Sequence, residues 1–224
     1  MNSLEILVLS FAVLLKVILI NVVLSGDNAV VIAMASRTVP KKQQKKVIFW
    51  GTFGAIILRL LFAVAIGYLL DFPFVTLVGG LLLVYIAIKL LIGEDEDHHS
   101  KEGSSFIAAV KTIIIADAVM SLDNVLAIAG AVKGNLFGII IGVIVSIPIV
   151  IFGSQLILKA MVKYPIISYA GAGILAWTAG EMIAGEPKFE HILPHDFHLL
   201  IPTTLTILVI GFGYILTKKY VNRA

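Results

Sequence analysis

The sequence contains no cysteine, which excludes disulfides, thiolate metal sites and cysteine nucleophiles. Charge is nearly as scarce. Asp, Glu, Lys and Arg make up 14% of the 224 residues, where a soluble globule of this length would carry about a quarter. Basic residues outnumber acidic ones by only three, and in so apolar a chain their location matters more than their sum, so no nucleic-acid partner is expected. Hydrophobic residues fill 59% of the chain, and its mean hydropathy is +1.04. Runs of about 20 apolar residues recur throughout, each long enough to cross a bilayer as a helix. The chain therefore reads as an all-α, polytopic membrane protein. Glu5 precedes the first run, with no basic cluster and no small-x-small cleavage site, so that run is expected to be retained as a span.

The apolar runs predict seven transmembrane helices, at 4–36, 47–70, 72–92, 105–132, 135–157, 166–184 and 199–217. The weakest boundary is the second, where "LLDFPF" turns the chain at Asp71 and Pro73. With the N-terminus outside, segments 37–46, 93–104, 158–165 and the tail from Lys218 are cytoplasmic. They hold eleven of the seventeen basic residues: Arg37, Lys41, Lys42, Lys45, Lys46, Lys101, Lys159, Lys163, Lys218, Lys219 and Arg223. The outer loops hold only Lys133 and Lys188. The positive-inside bias thus predicts a multi-pass plasma-membrane protein with its C-terminus in the cytoplasm.

The runs also repeat. "LSGDNAVVIAMA" from Leu24 is echoed by "MSLDNVLAIAGA" from Met120, around Asp27-Asn28 and Asp123-Asn124. Ser10 and Ser105 each precede a lysine by six residues, Lys16 and Lys111. Asn21 and Asp117 each stand six residues before the aspartate. "FG" recurs at 53–54 and 137–138. Gly79, Leu83, Tyr85, Ala87 and Lys89 in the third span stand against Gly171, Leu175, Trp177, Ala179 and Glu181 in the sixth. Spans 1–3 (residues 1–92) and 4–6 (105–184) thus read as one three-helix unit duplicated. They are joined by a cytoplasmic acidic and histidine-bearing loop (93–104). An external loop (185–198) and the seventh helix with its tail (199–224) follow. Three spans per unit is odd, so the second copy must be inverted, an architecture of many secondary transporters.

Depth singles out the Asp-Asn pairs. Lys16 and Arg37 bracket Asp27, and Lys111 and Lys133 bracket Asp123, at spacings of ~15–18 Å, about half a hydrocarbon core. The lysines can snorkel to the interfaces; the aspartates cannot. Asn21 and Asn28 share a helix face two turns apart, as do Asp117 and Asn124. Gly26 offers a place to unwind the first helix. Asn21, Asp27, Asn28, Asp117, Asp123 and Asn124 together make an all-oxygen set, the chemistry of Mg²⁺, Ca²⁺ and Mn²⁺. Met120 could add a thioether, though packing explains it more simply. Asn21 also reads as interhelical glue, and Asp117 as one partner of an ion pair with a lysine.

Other polar residues carry less. Lys89 and Glu181 occupy matching positions and read as an intramembrane ion pair or gate, or as a snorkelling lysine beside an unrelated glutamate. Arg59 lies inside the second span, has no basic counterpart in the fifth, and receives no role. His98 and His99 lie in the cytoplasmic loop and His191, His195 and His198 in the external one. Solvated loop is the plain reading of both.

On the two Asp-Asn motifs the sequence resembles the TerC family of integral membrane proteins, over essentially the whole chain. The resemblance implies a metal-ion transporter, with manganese export its best-supported activity, and carries Asp27, Asn28, Asp123, Asn124 and Asp117 over as ion-binding residues. Residue chemistry alone reaches a hard divalent-cation site in an inverted-repeat transporter; manganese and the outward direction come from the resemblance. The expectation is a non-enzymatic secondary transporter with no resident cofactor, moving Mn²⁺ against competition from Mg²⁺ and Ca²⁺ and exchanging it for protons. Its partners are the ion, the lipid bilayer and further copies of the chain. Two alternatives stand beside it: an intramembrane aspartyl hydrolase, suggested by Gly26-Asp27 and a second membrane aspartate, and a membrane scaffold without transport.

Overall fold

The computed structural model describes residues 26–69, 74–92, 102–131, 136–189, 194 and 197–221. All regular structure among them is helical: α1 (Gly26–Arg37), α2 (Lys41–Leu69), α3 (Val75–Ile92), α4 (Glu102–Ala131), α5 (Leu136–Lys163), α6 (Ile166–Ala184) and α7 (Phe197–Val221). A helix satisfies its own backbone, which is why apolar runs of this length fold as helices where no water is at hand. By length and composition, α3, α6 and the Phe197–Thr217 stretch of α7 are long and apolar enough to cross a membrane.

Two loops are shorter than the sequence suggested. Lys41–Lys46 form the first turns of α2, leaving Thr38–Pro40 as the turn before it, and α5 continues through Lys159 to Lys163, leaving Tyr164 and Pro165. Hydropathy marks where a chain leaves hydrocarbon, whereas a helix runs on until something stops it. Here Pro40 and Pro165 end one element and open the next. The lysines on these overhangs are exposed.

The shortest helix is the most enclosed. Residues 28–36 of α1 are all buried, packed among α2, α4, α5 and α6. Side-chain contacts fix the helix directions. Gly171 of α6 faces Val30 and Met34, while Arg37 donates to Ser168 Oγ at 2.5 Å, so α1 and α6 run antiparallel. Gly51 of α2 meets Ile113 of α4, and Arg59 meets Asp117 and Ser121 further along both, so α2 and α4 run parallel. Gly80 of α3 lies against the Ala179 carbonyl and Ile183, making α3 and α6 antiparallel. The pairs α1–α5, α1–α4, α2–α5 and α3–α4 also pack, and α7 lies against α6 and α3.

The surface of this bundle is oily and its interior comparatively polar. Phe152, Leu156, Ile166, Leu199 and Ile207 are each at least 66% exposed, whereas Asn28, Ser36, Arg59, Asp117, Ser121, Ser154 and Ser168 are buried. An apolar exterior around small and polar contacts suits lipid rather than water.

Gly180 is the tightest helix crossing. A Cβ there would collide with the Pro202 backbone in α7, whereas one at Gly211, on the same helix pair, would meet nothing within 4 Å. Gly180→Leu is expected to cost about 1–3 kcal/mol through overpacking, and Gly211→Leu close to nothing. Thermal unfolding in detergent micelles checks both; equal losses would contradict this packing.

Candidate functional site

The polar interior centres on α1, α2 and α4. Asp27 stands in the first turn of α1, its Oδ1 accepting the Asn28 backbone N–H at 2.7 Å. Asn28 follows, 2% exposed. Across from them, an Arg59 guanidinium nitrogen donates to Asp117 Oδ1 at 2.6 Å, and its Nε donates to Ser121 Oγ at 3.0 Å. Ser121 closes the ring by donating to Asp117 Oδ2 at 3.1 Å. Arg59 and Asp117 form a buried salt bridge, with their side chains 6% and 8% exposed. Asp27 lies within electrostatic reach of both. Three helices therefore deliver two carboxylates and a guanidinium to one place inside an apolar bundle.

Two of the six residues grouped by sequence, Asp27 and Asp117, are thus brought together, with Asn28 buried beside Asp27. Asp123 and Asn124 lie on the helical backbone of α4, one and a half turns and more beyond Asp117, but their side chains fall outside the described residues. Asn21, Lys16, Lys133, His98, His99, His191 and His195 lie outside them as well. Met120 is buried in the core, in keeping with packing. Among the described residues, no three His, Asp or Glu side chains converge as a metal cluster would. Glu181 is exposed and level with Gly80 of α3, nine residues and ~13 Å along that helix from Lys89. The register thus sets the suggested Lys89–Glu181 pair apart. His198 is exposed at the start of α7.

Sequence reading left Arg59 without a role and missed Ser121. One signal could have found them. Arg59 lies thirteen residues beyond Lys46 and Asp117 twelve beyond Ser105, so two opposite charges sit at one depth on two spans of the same direction. A lone arginine in a span needs such a partner.

A second polar contact lies at one end of the bundle. Glu186, just past α6, accepts from Thr76 Oγ1 at 2.6 Å and from the backbone N–H groups of Phe74 at 3.2 Å and Leu77 at 3.4 Å. It caps the N-terminus of α3 from a residue 110 positions away. Phe74 holds a left-handed φ of 63°, a costly conformation for a phenylalanine that this contact helps to fix. The rings of Phe74 and Phe189 stand 6.4 Å apart beside it. Burial works against the Glu186 charge, but the hydrogen bonds from Thr76, Phe74, Leu77 and the Lys188 backbone outweigh it and hold the carboxyl below its ordinary value of 4.5. A lowered folded-state pKa contributes stability above pH 4.5 that fades as pH falls through the folded value. Glu186→Gln is expected to lose about 1–3 kcal/mol at neutral pH, with the gap to wild type closing in acid. Melting temperature against pH for both proteins measures it; a gap independent of pH would contradict the charged cap.

An all-helical bundle with an apolar exterior and paired charges inside is the design of an integral membrane protein. This one belongs to the TerC family: the family described as "Integral membrane protein TerC family" matches residues 8–224. The chain is 44% identical to the uncharacterized membrane protein YjbE of Bacillus subtilis, over 92% of this chain and 94% of that protein. It is 28% identical to the uncharacterized membrane protein YceF of the same organism, over 96% of this chain and 84% of the relative. The inner membrane protein YoaE of Escherichia coli is longer; the 30% identity there covers 69% of this chain and 34% of that one. No solved structure matches.

Proposed function

We propose that this chain is a secondary transporter that exports a divalent cation, Mn²⁺ before others, through a midplane site built on its two Asp-Asn pairs. The observation that carries the proposal is Asp27-Asn28 on the enclosed helix α1, within reach of the Arg59–Asp117 pair on α2 and α4. Charge at this depth in an apolar bundle is expensive and is kept where it is used. Asp27, Asn28, Asp123 and Asn124 form the proposed ion ligands, with Asn21 beside them; hard oxygen donors favour Mn²⁺, Mg²⁺ and Ca²⁺. The preference for manganese and the outward direction rest on the family resemblance. Protons are the proposed exchange ion, since an empty site of carboxylates needs a return charge. The proposed setting is the plasma membrane, N-terminus outside, with seven spans and two inverted three-helix units.

Two features support the inverted duplication. Exchanging spans 1–3 with 4–6 turns the α1–α5 contact into α4–α2 and α1–α6 into α4–α3, and returns α1–α4, α2–α5 and α3–α6 to themselves. All of these pairs pack. The matched residues of α3 and α6 also share their surroundings: Gly79 and Gly171, Leu83 and Leu175, and Ala87 and Ala179 are buried, while Tyr85 and Trp177 are exposed. An aspartyl hydrolase would want a carboxyl dyad, yet Asp117 is engaged by an arginine.

Uptake of radioactive Mn²⁺ into membrane vesicles tests the proposal. Inside-out vesicles bearing the protein are expected to accumulate the ion above protein-free ones, and right-side-out vesicles are not. Equal uptake with and without the protein would overturn the transport reading; accumulation only in right-side-out vesicles would overturn the direction.

A further inference from the structure

Two residues break the symmetry between the halves. Asp117 stands where the first half carries the neutral Asn21, and Arg59 has no basic counterpart in the fifth span. The structure joins these two departures into one ion pair: Arg59 holds Asp117 Oδ1 at 2.6 Å, and Ser121, itself held by Arg59, takes Oδ2 at 3.1 Å. Both carboxylate oxygens are engaged, and all three residues are buried. An acid and a base added together leave the net charge as it was. A buried pair of this kind rarely outperforms apolar residues of the same size for stability alone, so its presence beside Asp27 calls for another reason.

We infer that Arg59 sets the charge of the cation site. It is a fixed counter-ion that cancels Asp117, so that Asp27 and Asp123 alone face the ion, and the site is balanced for a divalent rather than a trivalent cation. This rests on the transport reading above, which supplies Asp123 as the second ligand. Arg59 acts through Asp117 as a positioning and specificity-determining residue and does not touch the ion. The electrostatics give the scale. Each further negative charge beside the site favours a trivalent over a divalent ion by one more unit of Coulomb attraction, which at protein-interior dielectric and a few ångströms is tenfold or more in binding.

The test is calorimetric titration of the full-length protein in detergent with MnCl₂ and with LaCl₃, reading the ratio of the two affinities so that general weakening cancels. Arg59→Gln leaves Asp117 uncancelled and is expected to shift the ratio toward La³⁺ at least tenfold. Asp117→Asn leaves Arg59 uncancelled and is expected to shift it at least tenfold toward Mn²⁺. The double variant Arg59→Gln/Asp117→Asn is neutral for neutral and is expected to return within about threefold of wild type. If Arg59→Gln does not fold, the Asp117→Asn variant and the double still decide, because only a charge role makes their ratios differ. An equal ratio in every variant would reduce Arg59 to a packing element. A double variant binding Mn²⁺ as weakly as Asp117→Asn would make Asp117 a direct ligand. Both outcomes overturn the inference while leaving transport standing; a wild type that binds neither ion removes the site and the inference with it.

Discussion

Asp27→Ala is expected to abolish cation flux, by about a hundredfold or more, while the protein still inserts and folds. Asp27 contributes one local hydrogen bond, from its neighbour's backbone, so its removal threatens little of the packing. It does remove a full negative charge from beside the ion, and a site of hard oxygen donors holds a divalent cation mainly by such charges. Asp123→Ala is expected to match it, as its repeat equivalent. Asp27→Asn should fall between, keeping an oxygen donor and losing the charge. Flux in reconstituted vesicles, normalised to correctly folded protein, is the measurement. Wild-type flux in both alanine variants would take the Asp-Asn pairs out of the mechanism.

The second large effect is on stability. Arg59→Gln removes one partner of a buried ion pair and strands the Asp117 carboxylate beside Ser121. Stranding a buried charge costs about 3–5 kcal/mol. Asp117→Asn should cost a similar amount by stranding the guanidinium. The double variant should recover most of either loss, because no charge is left without its partner. Thermal unfolding in micelles separates these cases. If the double variant is as unstable as the sum of the singles, the two side chains do not depend on each other and the pairing is incidental.

Helix positions were legible where apolar runs end at prolines. The expected span 166–184 coincides with α6, and 72–92 differs from α3 by three residues at the Asp71–Pro73 turn. The ends of α2 and α5 were not legible, because their lysine-bearing turns are helical without being apolar. Asp27 was found by depth and repetition. Asp117 was grouped with the ligands because it matched Asn21 in position. Its difference in charge from Asn21, together with the unmatched Arg59, was the sign of a separate role. Glu186 left no mark in the sequence. Its partners Thr76, Phe74 and Leu77 lie about 110 residues away, and only the packing of α3 on α6 brings them together.

Anomalous X-ray scattering at the manganese absorption edge, from crystals grown with Mn²⁺, tests the central claim most directly. The expected result is one strong peak in the membrane interior, within about 2–2.6 Å of the Asp27 carboxylate and also coordinated by Asp123. In that structure Arg59 should remain on Asp117, with no bond from Asp117 to the metal. A peak confined to the histidine-bearing loops, or no peak between the two Asp-Asn pairs at saturating Mn²⁺, would contradict the account.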